Sequence, residues 1–440
     1  MLSMPASRSQ RGPCDRRLGI SESPRDYCIG PTLSFESLDH IMSNTQQFDP
    51  QPPEAISEDV PAFKDIPEPR MACLMVGNGA ASKPLQGYLD SHPELYMIPA
   101  YPLMYFYPHW AEWSETYGGS LTWPMLIDLL CKHHPSIINS RIMPGHNGLT
   151  SLGENMDQAL AMDIDRFKIT MNKILDGEEI SSRTFLLAIH YAYALSHNED
   201  ISKKKTLCYH IHVGAYLGKY CIHDFPNLLA IFMVRDPRSN IFGRLQHSFS
   251  AVNFEKMNFT DAVIYRRRDF LTAARFLYEG LDHSRFVKAG NCVTVKAEDL
   301  HFRGPDAVRA VARFLGLQDD PCLEKLTFGG LHWWGDSIYN MKPMNEINPR
   351  MVSTGWKEKL AARDWFVIEG LLRNYFFSYG YQMEKYNPGK PLHKALLYLA
   401  MLLPSSFELA SFAAFAHPKT VLSFIKAAMS EGTSALPLKP

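Results

Sequence analysis

The sequence predicts a three-layer α/β fold in which helices flank a parallel sheet. Two observations carry this prediction. Short, continuously apolar runs recur along the chain, as expected of strands that are buried on both faces. Each run is followed by a segment with apolar residues at three- and four-residue steps, the spacing of an amphipathic helix. Strands that alternate with helices in this way are typical of a parallel sheet covered on both sides.

The predicted elements follow one another along the chain. MACLMVG is the first predicted strand, and in the helix after it Leu85, Tyr88 and Leu89 share one face. Pro93 closes that helical segment. NLLAIFMV is the second strand and leads into the helical segment RDPRSNIFGRLQHSF. NCVTVKAEDL provides the third strand, and the helix DAVRAVARFLGL follows it.

Composition limits the classes of partner. The chain has 440 residues, of which 46% are hydrophobic, so it can bury a substantial core. Its formal net charge is -1, so no overall field attracts nucleic acid, and any anion site must be built locally. The eight cysteines form no CxxC pair and show no metal-ligand spacing. We therefore expect reduced thiols, no metal site and a cytoplasmic location.

The chain is expected to divide into three parts. Residues 1–68 are predicted to be a disordered or linker arm because they are rich in proline and acid near residue 60. The start lacks the apolar core of a secretory signal, but its basic character leaves an organelle transit peptide open. Residues 69–385 form the main domain, and residues 386–440 a helical extension. The apolar run ending at Leu403 is too short to span a bilayer, so we expect helices packed on the core, with peripheral membrane contact as the alternative.

The loop after the first strand has the composition of an anion site. In a parallel sheet, ligands bind at the carboxyl ends of the strands. Gly77 and Gly79 let backbone N–H groups converge on an anion, and the following helix adds its positive end. The spacing from Gly77 to Lys83 is one glycine away from the Walker loop of nucleotide-binding proteins, but Pro84 stands where a magnesium-binding hydroxyl belongs. An ordinary glycine turn remains the alternative.

A second polar segment, VRDPR, follows the second strand. Its first arginine, Arg235, is well suited to phosphate because a planar guanidinium binds two oxygens at once. The second arginine, Arg238, has the same chemistry. A structural arginine–aspartate network that caps the sheet is the alternative for this motif.

Taken together, these segments resemble the sulfotransferases, which use 3′-phosphoadenosine 5′-phosphosulfate as sulfuryl donor. The resemblance runs from about Met71 to about Met383. VGNGAASKPLQGYLDSHPELYMIP is similar to the family's 5′-phosphosulfate loop, and FPNLLAIFMVRDPRSNIFGRL to its 3′-phosphate strand and helix. VTVKAEDL and VARFLGL resemble the strand and helix that follow, and NPRMVSTGWKEKL the late loop that closes over the nucleotide. The joint order implies the sulfotransferase version of the P-loop α/β fold.

On the 5′-phosphosulfate side, the resemblance implies that Ser82 contacts the donor, and the backbone N–H groups near Gly77 and Gly79 are expected to do so as well. Gly79 departs from the family, which keeps a basic residue at this position beside the bridging oxygen. Lys83 is the one cation of the loop, and we interpret it as the catalytic substitute that neutralises charge on the leaving phosphate. A solvated lysine in an inactive site is the alternative.

On the 3′-phosphate side, the resemblance implies that Arg235 and Arg350 bind the phosphate. The family's serine partner is missing, because Gly243 occupies its place. Ser239, one turn nearer the start of the helix, is the predicted replacement.

A general base must take the acceptor's proton, and the family uses His or Glu. His210 and His212 in LCYHIHVGAYLGKY point to one side of a strand and are the first candidates. If either acts, the acid limb of the pH–rate profile should have a pKa between about 6 and 7.5. A pair of hydrogen-bonded core histidines is the alternative, and His109 is a third candidate. Aromatic residues near His109 and in LHWWGDSIYN either contact the acceptor or belong to the core.

Three function classes follow. The first is an active sulfotransferase that acts on a hydroxyl of a carbohydrate or small-molecule acceptor. The second is a nucleotide-binding or scaffolding protein that has lost catalysis, which would explain Gly79 and Gly243. The third is a P-loop kinase, which Pro84 disfavours because it offers no hydroxyl to magnesium.

Overall fold

Five strands form the parallel sheet that the sequence predicts. The computed structural model describes residues 60–76, 79–80, 82–142, 149–212, 214–250, 252, 259–279, 290–335, 355–403 and 405. The sheet strands are β1 (Arg70–Val76), β2 (Leu95–Met97), β3 (Thr206–His212), β4 (Leu229–Val234) and β5 (Cys292–Lys296). They pair in the order β2-β3-β1-β4-β5, and every pair is parallel. The α/β prediction is confirmed.

Helices flank this sheet along the chain. In chain order they are α1 (Ser82–Leu89), α2 (Phe106–Tyr117), α3 (Trp123–His133), α4 (Ile164–Leu175), α5 (Ser182–Ser196), α6 (Gly214–Asp224), α7 (Pro237–Ser250), α8 (Phe259–Glu279), α9 (Ala297–Arg303), α10 (Pro305–Phe314), α11 (Trp356–Lys359), α12 (Ala362–Leu371), α13 (Arg373–Ser378) and α14 (Pro391–Leu402). A short antiparallel hairpin joins β6 (Thr327–Phe328) to β7 (Leu331–His332). No described helix is long and apolar enough to cross a membrane.

The central strands are buried on both faces, as their apolar runs predict. Along β1, Cys73 and Met75 pack into one apolar cluster, with residues of α2 to α6. Ala72 and Leu74 point the other way and pack with residues of α1, α9 and α10. A third cluster joins α7, α8 and α12 to α14. β5 differs from the expectation of full burial because it is an edge strand, and most of its side chains are half-buried.

The order of the strands determines which loops meet. In the pairing register, Val76 lies level with His212 of β3 and Met233 of β4. The loop after β1 therefore begins between the carboxyl ends of β3 and β4. This is the edge at which a parallel sheet binds ligands.

The segment Asp90–Pro93, part of the sequence resemblance, has a structural role after α1. The Asp90 carboxylate accepts hydrogen bonds from Thr327 Oγ1 at 2.9 Å and from the Gly330 backbone N–H at 3.0 Å. These bonds hold the β6–β7 hairpin against the end of α1. All residues of this helix are buried.

The predicted domain limits fall near the ends of the described chain. Ile66 is buried in the core, so packed structure begins before residue 69. Residues 1–59 of the predicted arm lie outside the described residues. In the predicted C-terminal extension, α14 packs Leu397 and Met401 onto α12 and its neighbours. Beyond it, residue 404 and residues 406–440 also lie outside the described part.

Candidate active site at the carboxyl edge of the sheet

Gly79 has a backbone conformation that favours glycine. Its φ is +83°, in the left-handed region, where a side chain is strained. A Cβ atom there would also lie 3.2 Å from the Asn240 side-chain oxygen. The sequence resemblance expects a basic residue at this position, and the structure gives a physical reason for its absence. Gly77 lies outside the described residues.

Lys83 is buried rather than solvated. It stands in the first turn of α1, and only 6% of its surface is exposed. Its Nζ lies 5.7 Å from the centroid of the Tyr101 ring. An ammonium group is costly to bury unless the site provides negative or aromatic partners. The position therefore disfavours the interpretation of Lys83 as a solvent-facing lysine. Ser82, at the start of the same helix, is also buried.

His210 stands beside Lys83 at the end of β3. Its Nδ1 lies 2.9 Å from the Ala100 carbonyl oxygen, and its ring meets that of Tyr101 edge-on at 5.3 Å. Since a carbonyl oxygen only accepts, Nδ1 carries the proton, and Nε2 is the nitrogen that can accept one. Burial, together with the positive charge of Lys83, lowers the pKa of His210 to about 3.

The pKa of His210 lies below the range of about 6 to 7.5 that the sequence predicts for the acid limb of the pH–rate profile. A histidine with a pKa of about 3 is neutral at pH 7 and titrates far below that range. The second candidate, His212, is the last residue of β3. Its backbone is described, but its side chain is not.

His109 belongs to a separate histidine chain. Its Nδ1 lies 2.9 Å from His134 Nε2, and His134 Nδ1 lies 2.7 Å from the Pro102 carbonyl oxygen. Burial lowers the pKa of His109 to about 4 and that of His134 to about 3. Nearby, Phe106, Tyr107 and Trp113 are buried in the core. These three aromatic residues therefore fit the core alternative and not an acceptor pocket. In LHWWGDSIYN, Trp333 is likewise core.

Arg235 connects the end of β4 to the loop after β1. Its guanidinium Nη1 donates to the Gly79 carbonyl oxygen at 3.4 Å. The Tyr375 hydroxyl lies 3.3 Å from both the backbone N–H and the carbonyl oxygen of Arg235, which fixes the backbone at this point. The side chain is only partly buried, so a ligand can reach it.

Arg238 has a structural role. It is 4% exposed, and its guanidinium bonds to Asp236 at 2.7 Å and to Glu369 at 2.6 Å. The Trp356 and Phe376 rings cover its planar faces at 4.8 and 5.0 Å. The alternative of an arginine–aspartate network therefore holds for Arg238, while Arg235 remains at the site.

One buried histidine near Arg235 was not singled out by the sequence. His301 on α9 is 4% exposed, and neither ring nitrogen has a hydrogen-bond partner among the residues that the structure describes. Burial, and then the charge of Arg235, lower the pKa of His301 to about 4. His301 therefore lies near Arg235. A histidine after an ordinary strand carries no sequence signal that would place it near Arg235.

The predicted substitute Ser239 is buried in the first turn of α7. Among the described residues beyond its own helix backbone and chain neighbours, no atom lies within 4 Å of where a Gly243 Cβ would be. The position of the family's missing serine therefore has room for a side chain within the described part of the chain. Arg350 lies outside the described residues. The candidate site therefore includes Lys83 and His210, which lie near the Tyr101 ring, and Arg235, which bonds to the loop at Gly79. Ser239 lies in the first turn of the helix that follows Arg235.

Comparisons with known proteins find similarity among solved structures. No protein-family model and no curated protein matches the chain. Among solved structures, it is similar to a sulfotransferase domain from the curacin biosynthetic pathway, with 14% identity over 65% of this chain and 89% of that one and a TM-score of 0.40. A sulfotransferase domain from the Synechococcus PCC 7002 olefin synthase has 15% identity over 67% and 90% of the two chains, with a TM-score of 0.37. A sulfotransferase from Mycobacterium avium has 11% identity over 73% and 80%, with a TM-score of 0.36. Likeness of this degree carries no argument about activity, so the case for a function rests on the site residues.

Proposed function

We propose that this chain is a sulfotransferase that moves a sulfuryl group from 3′-phosphoadenosine 5′-phosphosulfate to a hydroxyl of a carbohydrate or other small acceptor. One observation carries the proposal: two cationic side chains flank the loop after β1. Lys83 lies toward β3, beside His210. Arg235 follows β4 and bonds to the loop at Gly79. A donor with anionic groups at both ends of its ribose suits cations that are separated in this way.

The chemistry assigned to Lys83 is electrostatic. In the transfer, the bond between sulfur and the bridging oxygen breaks, and a bond between sulfur and the acceptor oxygen forms. The acceptor loses its hydroxyl proton, and 3′,5′-adenosine bisphosphate leaves. Negative charge grows on the bridging oxygen during this step, so a nearby ammonium stabilises the transition state more than the bound donor. Lys83 can supply that charge without covalent participation.

His210 is the described residue with the geometry of a base. Its Nδ1 is held on the Ala100 carbonyl oxygen, which orients Nε2 as the proton acceptor. Its low pKa makes it a weak base at rest, because burial, and then the charge of Lys83, oppose its protonation. The acceptor oxygen becomes less basic as its bond to sulfur forms. Its proton therefore has to move to His210 during the same step. His212 remains the alternative base.

Two other functions make different predictions. A nucleotide-binding protein without catalysis is favoured by the departures at Gly79 and Gly243. A kinase is disfavoured because Pro84, in the first turn of α1, offers no hydroxyl to magnesium.

A transfer assay and calorimetry separate these functions. The protein is incubated with donor radiolabelled in the sulfuryl group and a panel of sugar and small-molecule alcohols, and label in the acceptor is measured. Calorimetry then compares 3′,5′-adenosine bisphosphate with AMP. We expect transfer, and a preference for the bisphosphate of about tenfold or more, because a charge-assisted contact is worth about 1.5–3 kcal/mol.

The matched variants are Arg235→Gln at the site and Arg303→Gln at an exposed position of α9. The first should lose the preference for the bisphosphate, and the second should keep it. Tight binding without transfer to any acceptor would support the non-catalytic alternative. Equal affinity of the parent protein for both nucleotides would show that the nucleotide assignment is wrong.

A further inference from the structure

Asn240 on α7 packs against Gly79 of the loop. Its side chain is 3% exposed. Measured from the point where a Gly79 Cβ would lie, its Oδ1, Cγ and Nδ2 atoms are 3.2, 3.5 and 3.6 Å away. The amide group thus occupies the space beside the one loop position where the sequence resemblance expects a cation.

The Asn240 amide nitrogen is a buried donor. Nδ2 has no hydrogen-bond partner within the described chain. Buried side-chain donors nearly always have a hydrogen-bond partner, because a donor that is buried without one loses its hydrogen bonds to water and gains none in return. An apolar side chain of similar size would fill the same space without that loss. An amide at this point therefore indicates that a ligand supplies the acceptor.

The surrounding groups define the chemistry of that ligand. Arg235 donates to the Gly79 carbonyl oxygen, so a positive charge lies on the same side of the loop. Lys83 lies at the start of α1, the end of a helix that carries partial positive charge. A ligand that accepts from an amide N–H and is attracted by these cations is an oxyanion.

We propose that Asn240 Nδ2 donates a hydrogen bond to an oxygen of the nucleotide's 5′-phosphate group. This inference rests on the proposed function and refines it. Asn240 does the positioning that a basic residue would do at Gly79, while Lys83 supplies the charge. The division follows from the backbone, because the positive φ of Gly79 disfavours a side chain there, whereas α7 can present an amide from the neighbouring element.

The test compares two nucleotides in two proteins by calorimetry. The parent and Asn240→Leu are titrated with 3′,5′-adenosine bisphosphate and with 3′-AMP, which lacks the 5′-phosphate. Leucine keeps the approximate size of the side chain and removes the donor. We expect Asn240→Leu to bind the bisphosphate about tenfold or more weakly, as for loss of a hydrogen bond to a charged group. Its affinity for 3′-AMP should be unchanged.

Thermal unfolding separates this role from a structural one. Removing an unpartnered buried amide should leave the Tm unchanged or raise it, whereas a structural role predicts a lower Tm and equal losses for both nucleotides. The matched control is Gln246→Leu, an exposed amide on the same helix, which should change neither affinity. Should the leucine variant fail to fold, Asn240→Asp keeps the shape and should weaken the bisphosphate even more, by repulsion.

The outcomes distinguish this inference from the function on which it rests. A parent protein that binds neither nucleotide overturns both. If the parent and Asn240→Leu prefer the bisphosphate over 3′-AMP to the same degree, the role of Asn240 alone is overturned. Loss of preference in the variant with an unchanged Tm supports it.

Discussion

Lys83 and His210 show how two residues far apart in the chain combine at one site. The sequence marks each as a candidate on local grounds, Lys83 as the cation of the loop and His210 as a possible base in a strand. In the structure both are buried, and the Tyr101 ring contacts both. Burial, and then the charge of Lys83, lower the pKa of His210, so the two side chains lie close enough to interact.

Lys83→Ala should lower turnover by about 10²-fold or more with only a modest loss of donor binding. Removing one transition-state donor typically has this effect, and the helix start still binds the anion. Lys83→Arg should recover little, because a planar fork does not replace a compact charge. Steady-state kinetics and calorimetry measure the two quantities, with the exposed Lys173→Ala as control.

Turnover equal to the parent would move the search to Arg244 or Lys357. Of these, Lys357 already pairs with Glu384 at 2.8 Å and is partly exposed.

His301 should make the binding of a 3′-phosphate depend on pH. In the free protein its pKa is about 4, lowered by burial and by Arg235. A bound phosphate favours the imidazolium and raises this pKa, so ligand binding takes up a proton, and affinity gains as the pH falls. We measure the affinity for 3′,5′-adenosine bisphosphate by calorimetry from pH 7.5 to about 5.5. As the pH falls, this affinity should rise more, or decrease less, in the parent than in His301→Gln.

Protonation of the phosphate itself, with a pKa near 6, acts in the opposite direction and is common to both proteins. The difference between them therefore isolates His301. Identical pH profiles for parent and variant would exclude proton uptake at this residue.

At the scale of elements, α7 and α12 are joined by one buried carboxylate. Glu369 is fully buried and accepts hydrogen bonds from Arg238, from Trp365 Nε1 and from the backbone N–H groups of residues 384–386. Through Arg238 it holds the first turn of α7, the helix that carries both Ser239 and Asn240. The first turn of α7 is thus held in place by a contact outside the candidate site.

Glu369→Gln should reduce the free energy of unfolding by about 3–5 kcal/mol, because it removes one partner of a buried ion pair. Urea denaturation measures the loss. Glu384→Gln is the control, since this partly exposed carboxylate pairs with Lys357 at the surface and should cost at most about 1 kcal/mol. A loss of similar size in both variants would contradict a special role for Glu369.

At the scale of the whole molecule, buried neutral histidines make the fold sensitive to acid. Burial lowers the pKa of His134 and His210 to about 3 and that of His190 to about 4. In the unfolded chain these groups titrate near pH 6.5, so between that pH and their folded pKa values the unfolded state binds more protons. Their contribution to stability is complete above about pH 6.5 and is lost as the pH falls.

We expect the free energy of unfolding to fall between pH 7 and pH 5, by up to about 1.4 kcal/mol per pH unit for each such histidine. Most carboxylates titrate below this range, so histidines dominate it. Urea titrations at several pH values measure the slope. His190→Gln should reduce this slope by up to about 1.4 kcal/mol per pH unit, which corresponds to one proton. An unchanged slope would contradict the low pKa of His190.

Local patterns were sufficient to predict the class of fold. The apolar runs of β1 and β4 predicted buried parallel strands because a strand enclosed on both faces has no polar side to show. The glycines before Lys83 predicted a loop that receives an anion, and Arg235 predicted a cation at a strand end. These properties depend on residues within a few positions of one another, so one sequence suffices to find them.

Contacts between distant segments were decided by the tertiary structure alone. The order β2-β3-β1-β4-β5 brings His210 next to Lys83, and it sets α7 beside the loop so that Asn240 meets Gly79. It also separates two neighbouring arginines, because Arg235 reaches the loop while Arg238 is enclosed by Asp236 and Glu369. A sequence records side-chain chemistry and local spacing, but burial and charge depend on which elements pack together. For that reason the sequence by itself determined the kind of fold and which loop is the candidate anion site, and packing alone decided which side chains surround that loop.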